Sequence, residues 1–218
     1  MSCRGAACTR IDDGLTARRS SPLRQAVRAL GPAVAGTPPL EALRAGIGAL
    51  IGLGVAGLLV LSPSVDLRLG LYLIAPFGAT SVLIFAVPNS PLAQPWSAVV
   101  GNTLAAVVGV AVVLAVEDAA LRVALSVSLS IVALSFARAV HPPAGAVAMT
   151  AALNPEAVHK LGFGFALAPV AAGTALLVAI AILYARVTRR RYPFRQYDDE
   201  GAHHTSDHPA IERLGLTE

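Results

Sequence analysis

The sequence predicts an all-α, polytopic integral membrane protein built from two units of three apolar segments each. Three observations predict it. Charged residues make up 14% of the chain, against about 25% in a soluble domain. No Asp, Glu, Lys or Arg occurs from Leu69 to Val116 or from Leu161 to Ala185. A spanning helix takes about 20 mostly apolar residues, so the first run holds two crossings and the second holds one. Finally, the basic residues gather at the ends, seven arginines up to Arg44 and six from Arg186 onward. Beside membrane spans this is the positive-inside pattern. It places both termini in the cytoplasm, requires an even number of crossings, and puts the chain in a cell (plasma or inner) membrane. Basic ends also suit nucleic-acid arms, but next to these spans no nucleic-acid partner is expected.

Taken in order, residues 1–39 form a polar tail, expected to be disordered or to hold one short surface helix over 22–30. They lack the apolar h-region of a secretory signal peptide. The membrane domain covers 40–187. Its first span is 42–62, where Gly48 and Gly52 make a small-xxx-small pair that admits a neighbouring helix. After a short loop at 63–68, the segment 69–87 carries Pro76 and Gly78 at its middle. Proline removes a backbone donor, and such breaks are tolerated in a bilayer only where they are buried in protein or line a cavity. A turn-rich loop, 88–95, leads to the span 96–116. There Gly101, Ala105 and Gly109 form a packing stripe, and Asn102 is the one strongly polar residue. The loop 117–122 precedes a span over 121–139, which is followed by the Pro- and Gly-bearing segment 142–155. The last span is 161–186, and 188–218 is a basic, polar tail.

The two middle segments align at a fixed offset. Pro76 matches Pro143, Gly78 matches Gly145, Ala79 matches Ala146 and Pro88 matches Pro155. The chain therefore reads as repeat units 42–116 and 121–186. If every segment crosses, there are six spans and the second unit is inverted. If the middle segments are re-entrant or broken, there are four. Residues 142–153 alone are short for a crossing, so both counts stay open.

Broken, repeated helices near the midplane point to a transport site. A helix starting at Pro142 or Pro143 would aim free N–H groups and its positive dipole end toward Arg138 and His141. A second such end is expected at Pro76, and Gly78 and Gly145 would allow close approach. These residues, with Thr80 and Asn102, are the candidate substrate-binding or pathway residues, and they suit a small anion. Arg138 has an alternative reading, reaching from a helix end to lipid headgroups. His141 and Asn102 have one as structural hydrogen-bonding groups. His203, His204 and His208 lie in a polar tail, and Cys3 and Cys8 are far from the spans, so no metal and no cofactor is expected. Trp96, Tyr192 and Phe194 read as interfacial anchors. No nucleophile–base pair, phosphate loop or paired carboxylate marks an enzyme.

The stretches "ARAVHPPAGA" at 137–146 and "APFGATSVLIFAVPNSPLAQP" at 75–95 resemble the two signature stretches of the HPP family of small integral membrane proteins, named for a His-Pro-Pro motif. The resemblance covers roughly 40–186. It implies a fold usually described with four transmembrane helices. It also implies a transport role, since some members are implicated in nitrite transport. His141, Pro142, Pro143 and Gly145 match the name motif, and Pro76, Phe77, Gly78 and Ala79 match the other stretch. The chain departs from the pattern in two places. Trp96 and Ser97 stand where many members carry Arg-Asn, and Val100, Gly101 and Asn102 stand where many carry Gly-Gly-His.

The sequence thus predicts a transporter or channel for a small inorganic anion such as nitrite. Two other classes fit it, a non-transporting scaffold docked through its glycine stripes and a carrier of a neutral small solute. A homo-oligomer is compatible with two such small units.

Overall fold

The computed structural model describes residues 30, 31, 36–60 and 67–194. The expectations placed on the tails and on 61–66, including the helix over 22–30, Cys3, Cys8 and the three tail histidines, lie outside them. The chain divides into two units, Met1–Pro38 and Pro39–Glu218. Of the first, only a turn at Leu30–Gly31 and the non-helical 36–38 are described. All the described helices belong to the second.

These helices are α1 (Pro39–Val60), α2 (Leu67–Ser81), α3 (Pro95–Ala115), α4 (Ala119–Phe136), α5 (Pro142–Leu153), α6 (Pro155–Leu161) and α7 (Ala172–Val187). A π turn, Val82–Ala86, prolongs α2. Residues Ala166–Ala171 lead into α7 across a kink at Ala168. Proline opens α1, α3, α5 and α6, at the position where its missing N–H costs nothing. Asp118 caps α4 by accepting the Leu121 N–H at 2.8 Å.

Side-chain contacts fix which helix ends lie together. Arg190 pairs with Glu41 at the start of α1 and donates to Phe85 O at the end of the α2 π turn, at 3.1 Å. Tyr192 donates to Ala93 O at 2.9 Å, and Gln94 Oε1 accepts the Phe194 N–H at 2.7 Å, both next to the start of α3. Trp96 Nε1 donates to Ala137 O at the end of α4. At the other end, Arg122 at the start of α4 donates to Glu117 O after α3 and to Ala152 O near the end of α5. The chain therefore passes between the Arg190 end and the Arg122 end six times, and Pro39 and Phe194 lie at the same end.

Five of the passages are helices long and apolar enough to cross a membrane: Pro39–Leu58, Leu67–Ala86, Pro95–Ala115, Ala119–Phe136 and Ala166–Val187. The sixth is residues 138–153. Its helix of 12 residues rises only about 18 Å, and the non-helical 139–141 makes up part of the difference. The chain thus traverses the bundle six times, and five of these traverses are helices long and apolar enough to cross a membrane. Each of the first three passages runs opposite to its counterpart among the last three.

Glycines set the closest approaches. A Cβ at Gly48 would lie 2.5 Å from the Phe85 ring and one at Gly52 2.9 Å from Leu177, so α1 seats on α7 and the end of α2 through the expected pair. On α3, a Cβ at Gly109 would meet Ala151 Cβ at 2.9 Å, and Ala105 between the stripe's glycines is fully buried. The predicted α3 stripe thus receives α5. Trp96 is exposed, as an interfacial residue would be. Tyr192 is not: it is buried against the 91–93 turn, and burial holds its phenol above the ordinary range.

Candidate functional site

Four elements each deliver one polar side chain to the same point inside the bundle. Thr80 comes from the last turn of α2, Asn102 from α3, His141 from the residue before α5, and Thr174 from the start of α7. Their exposures are 0%, 1%, 0% and 0%. His141 is admitted by Gly101, where a Cβ would lie 2.7 Å from Ala139 O and 2.9 Å from His141 Cβ. Gly101 stands six residues into α3, about 9 Å along its axis, so the cluster sits well inside the apolar layer.

The Leu92 carbonyl fixes which ring nitrogen of His141 carries a hydrogen. Its Nδ1 lies 2.8 Å from Leu92 O. A carbonyl only accepts, so Nδ1 carries the hydrogen. Nε2 lies 3.0 Å from Thr80 Oγ1, which also accepts from Asn102 Nδ2 at 3.4 Å. A neutral imidazole accommodates all three of these contacts: Asn102 donates to Thr80, Thr80 donates to Nε2, and Nδ1 donates to Leu92 O. A proton on Nε2 would turn the Thr80 hydroxyl away and change the whole chain of bonds. Asn102 Nδ2 also donates to Thr174 Oγ1 at 3.2 Å, while Asn102 Oδ1 is buried with no hydrogen-bond partner.

Of the candidate residues, the fold brings together Thr80, Asn102 and His141. Pro142 and Pro143 start α5 as expected, but the anion nest does not form there. The prolines have no N–H, and the next donor, Ala144 N, turns back to His141 O at 2.9 Å. Two prolines in succession thus cancel the free donors that a single proline would have left. No helix starts at Pro76 either. It is buried inside α2, which runs through it from Leu67 to Ser81, so the aligned prolines do different work in the two units. Nor are Gly78 and Gly145 points of close approach: a Cβ at Gly78 meets nothing within 4 Å, and one at Gly145 only Val127 Cγ1 at 4.0 Å.

Arg138 lies outside the cluster and is exposed. It ends α4 in the left-handed region, φ 51°. Its N–H bonds Ser135 O and the Ala139 N–H bonds Leu134 O, the paired reverse bonds of a Schellman turn.

Thr174 and the Leu92 carbonyl were not foreseen. Thr174 carried a signal, as the single Ser or Thr between Leu161 and Ala185. A backbone carbonyl carries none.

Each end of the bundle holds a cavity with basic residues. One of about 400 Å³ lies by Arg68, Lys160, Glu156 and Asn154. One of about 520 Å³ lies by Arg190, Arg191, Glu41 and Asn89. Among the described residues, no three His, Cys, Asp or Glu side chains stand close enough to hold a metal ion.

The family model described as "HPP, transmembrane region" matches residues 35–193. A transmembrane protein of Dictyostelium discoideum is 36% identical over 152 residues, covering 67% of this chain and 48% of that protein. A second transmembrane protein of that organism is 39% identical over 126 residues, covering 56% and 44%. The chain spans about half the length of these curated relatives. No solved structure matches it.

Proposed function

This chain belongs to the HPP transmembrane family, and we propose that it is a transporter moving a small inorganic anion, nitrite being the instance the family suggests, together with a proton. One observation carries this reading. The most polar point inside the apolar layer is a titratable imidazole, neutral in its resting network and bonded to groups from separate passages. Buried ionisable residues at this depth are expensive and mark ion pathways. No fixed cation accompanies His141 in the cluster, so the positive charge an anion needs would arrive as the proton on Nε2. Arg138, Arg190 and Arg191 at one end, and Arg68 and Lys160 at the other, would raise the local anion concentration at the mouths.

In this reading the Arg190 end faces the cytoplasm of a plasma or inner membrane, supported by Arg189, Arg190 and Arg191 clustered there. The opposed directions of 42–116 and 121–186 support treating them as an inverted repeat around the cluster.

An anion carried with a proton moves no net charge. In proteoliposomes, uptake should follow an inward proton gradient and be indifferent to a potential clamped with potassium and valinomycin. Uptake that follows the potential instead would overturn proton coupling. A second reading, a neutral solute that donates hydrogen bonds, is favoured by the free acceptor Asn102 Oδ1. Its flux would respond to neither gradient.

A further inference from the structure

The His141 cluster holds an acceptor and a donor that do not meet. Asn102 is 1% exposed, and its Oδ1 has no hydrogen-bond partner. The amide is turned so that Nδ2 faces the hydroxyls of both Thr80 and Thr174, at 3.4 and 3.2 Å. Other threonines of the bundle behave differently. Thr103 and Thr150 within helices, and Thr188 at the end of α7, each donate to the carbonyl four residues back, a common outlet for a helical hydroxyl. Thr80 and Thr174 face Asn102 instead. Thr80 gives its one hydrogen to His141 Nε2, at 3.0 Å. Among the described residues, the Thr174 hydroxyl has the Asn102 amide as its one partner. That nitrogen only donates, so the Thr174 hydrogen is unused.

The count of hydrogens explains this orientation and predicts when it reverses. While Nε2 is bare, Thr80 must donate to it. The Thr80 oxygen can then only accept from Asn102, and the amide shows it Nδ2. A proton on Nε2 makes the imidazole the donor. Thr80 then accepts from Nε2, and its own hydrogen needs an acceptor. Turning Asn102 over supplies one: Oδ1, in the place of Nδ2, accepts from both Thr80 and Thr174. The terminal torsion of asparagine is broad and roughly two-fold, so the half-turn exchanges atoms of like size without moving α3. It also puts the two Nδ2 hydrogens on the side where Oδ1 lies unbonded. Two N–H donors beside an imidazolium are the chemistry that receives an anion.

No other charge competes at this point. The groups turned to His141 are Thr80 from α2, Gly101 from α3 and Leu92 O from the 91–93 turn, with Asn102 and Thr174 behind Thr80. Arg138, three residues earlier, is exposed. Among the described residues, the other buried titratable side chain is Tyr192, bonded to Ala93 O.

We propose that Asn102 couples the proton to the anion: a proton on His141 Nε2 turns the Asn102 amide over, and the Nδ2 donors so presented hold a small oxyanion. The proposal rests on the transport reading and names the anion's ligand within that site. Coupling of this kind is reciprocal, so the anion also favours the turned amide and with it the proton.

The test is isotope-edited infrared difference spectroscopy of the full chain in phosphatidylcholine–phosphatidylglycerol vesicles, between alkaline and acid pH, with and without sodium nitrite. Asparagine labelled with 13C at the side-chain carbonyl picks out Asn89, Asn102 and Asn154. The band missing from Asn102→Ser belongs to Asn102. Should that variant not fold, Asn89→Gln and Asn154→Gln assign the band by elimination. A carbonyl without a hydrogen bond absorbs at higher frequency than one accepting two. The Asn102 band should therefore move to lower frequency as the imidazole bands report protonation, and nitrite should enlarge the shift at a fixed acid pH. Thr174→Ser should keep the shift, and Thr174→Val should reduce it. A band that stays in place while the imidazole protonates overturns the proposal, and so does an imidazole that stays neutral with nitrite present. A shifted band in a protein that moves no anion keeps the amide switch and removes the transport reading. An unmoved band with proton-driven, His141-dependent uptake removes the switch alone.

Discussion

Arg138 and Arg189 end two different helices in the same way, at the same end of the bundle. Each stands in the left-handed region, with φ of 51° and 55°. Each is followed by the reverse bond of a Schellman turn, Ala139 N to Leu134 O and Arg190 N to Ala185 O. Glycine is the usual residue there, because a side chain in this conformation costs about 1–2 kcal/mol. Under the proposed transport function, two arginines accepting that cost at one end of the bundle are explained by a use for their charge there.

Arg138→Gly should therefore raise stability while lowering transport. Thermal unfolding in detergent should shift upward by the equivalent of about 1 kcal/mol. Anion uptake at low ionic strength should fall. A variant that is both less stable and fully active would contradict the role given to Arg138.

Gly101 and Gly78 should respond oppositely to a side chain. Gly101→Val would push into the Ala139 carbonyl and His141, and overpacking of this kind costs about 1–3 kcal/mol. Gly78→Ala meets open space and removes a helix-weakening glycine, so it should be neutral or slightly stabilising. Unfolding midpoints of the two variants in one detergent check this.

Six passages place Asn89 and Arg191 at one end of the bundle and Asp118 and His159 at the other. Single cysteines at these positions should label in two groups, each from its own side of the membrane. Asp118→Cys reacting from the same side as Arg191→Cys would restore the four-crossing alternative.

Thr80→Val keeps the shape of the side chain and removes the hydroxyl that bonds Nε2. Interhelical hydrogen bonds in membranes are worth about 0.6–1.7 kcal/mol, so the fold should survive. Uptake should fall by about tenfold, the equivalent of 1.4 kcal/mol, and Thr80→Ser should restore it.

Much of this architecture was legible in the sequence, because each legible part had a local physical signature. Uncharged runs marked the spans, and Gly101, Ala105 and Gly109 at four-residue spacing marked a packing face on α3, although not the helix it receives. His141 and Asn102 were conspicuous as polar residues at membrane depth. The illegible parts depend on backbone geometry. Pro76 and Pro143 look equivalent on paper, yet α2 continues through one and α5 begins beside the other. The second proline at α5 removes the donors that would have made an anion nest, an effect visible only once Ala144 N is seen returning to His141 O. The meeting of Thr80 with Thr174, 94 positions later in the chain, needs α2, α3 and α7 in place together.

The central claim is that His141 couples anion movement to a proton. The most direct measurement is nitrite uptake into proteoliposomes under an imposed inward proton gradient, for the natural chain and His141→Ala. Nitrous acid crosses bilayers unaided, so protein-free vesicles set the background at each pH. The account predicts saturable uptake above that background, driven by the gradient and abolished in His141→Ala. Uptake by His141→Ala with the same rate and the same response to pH would contradict it.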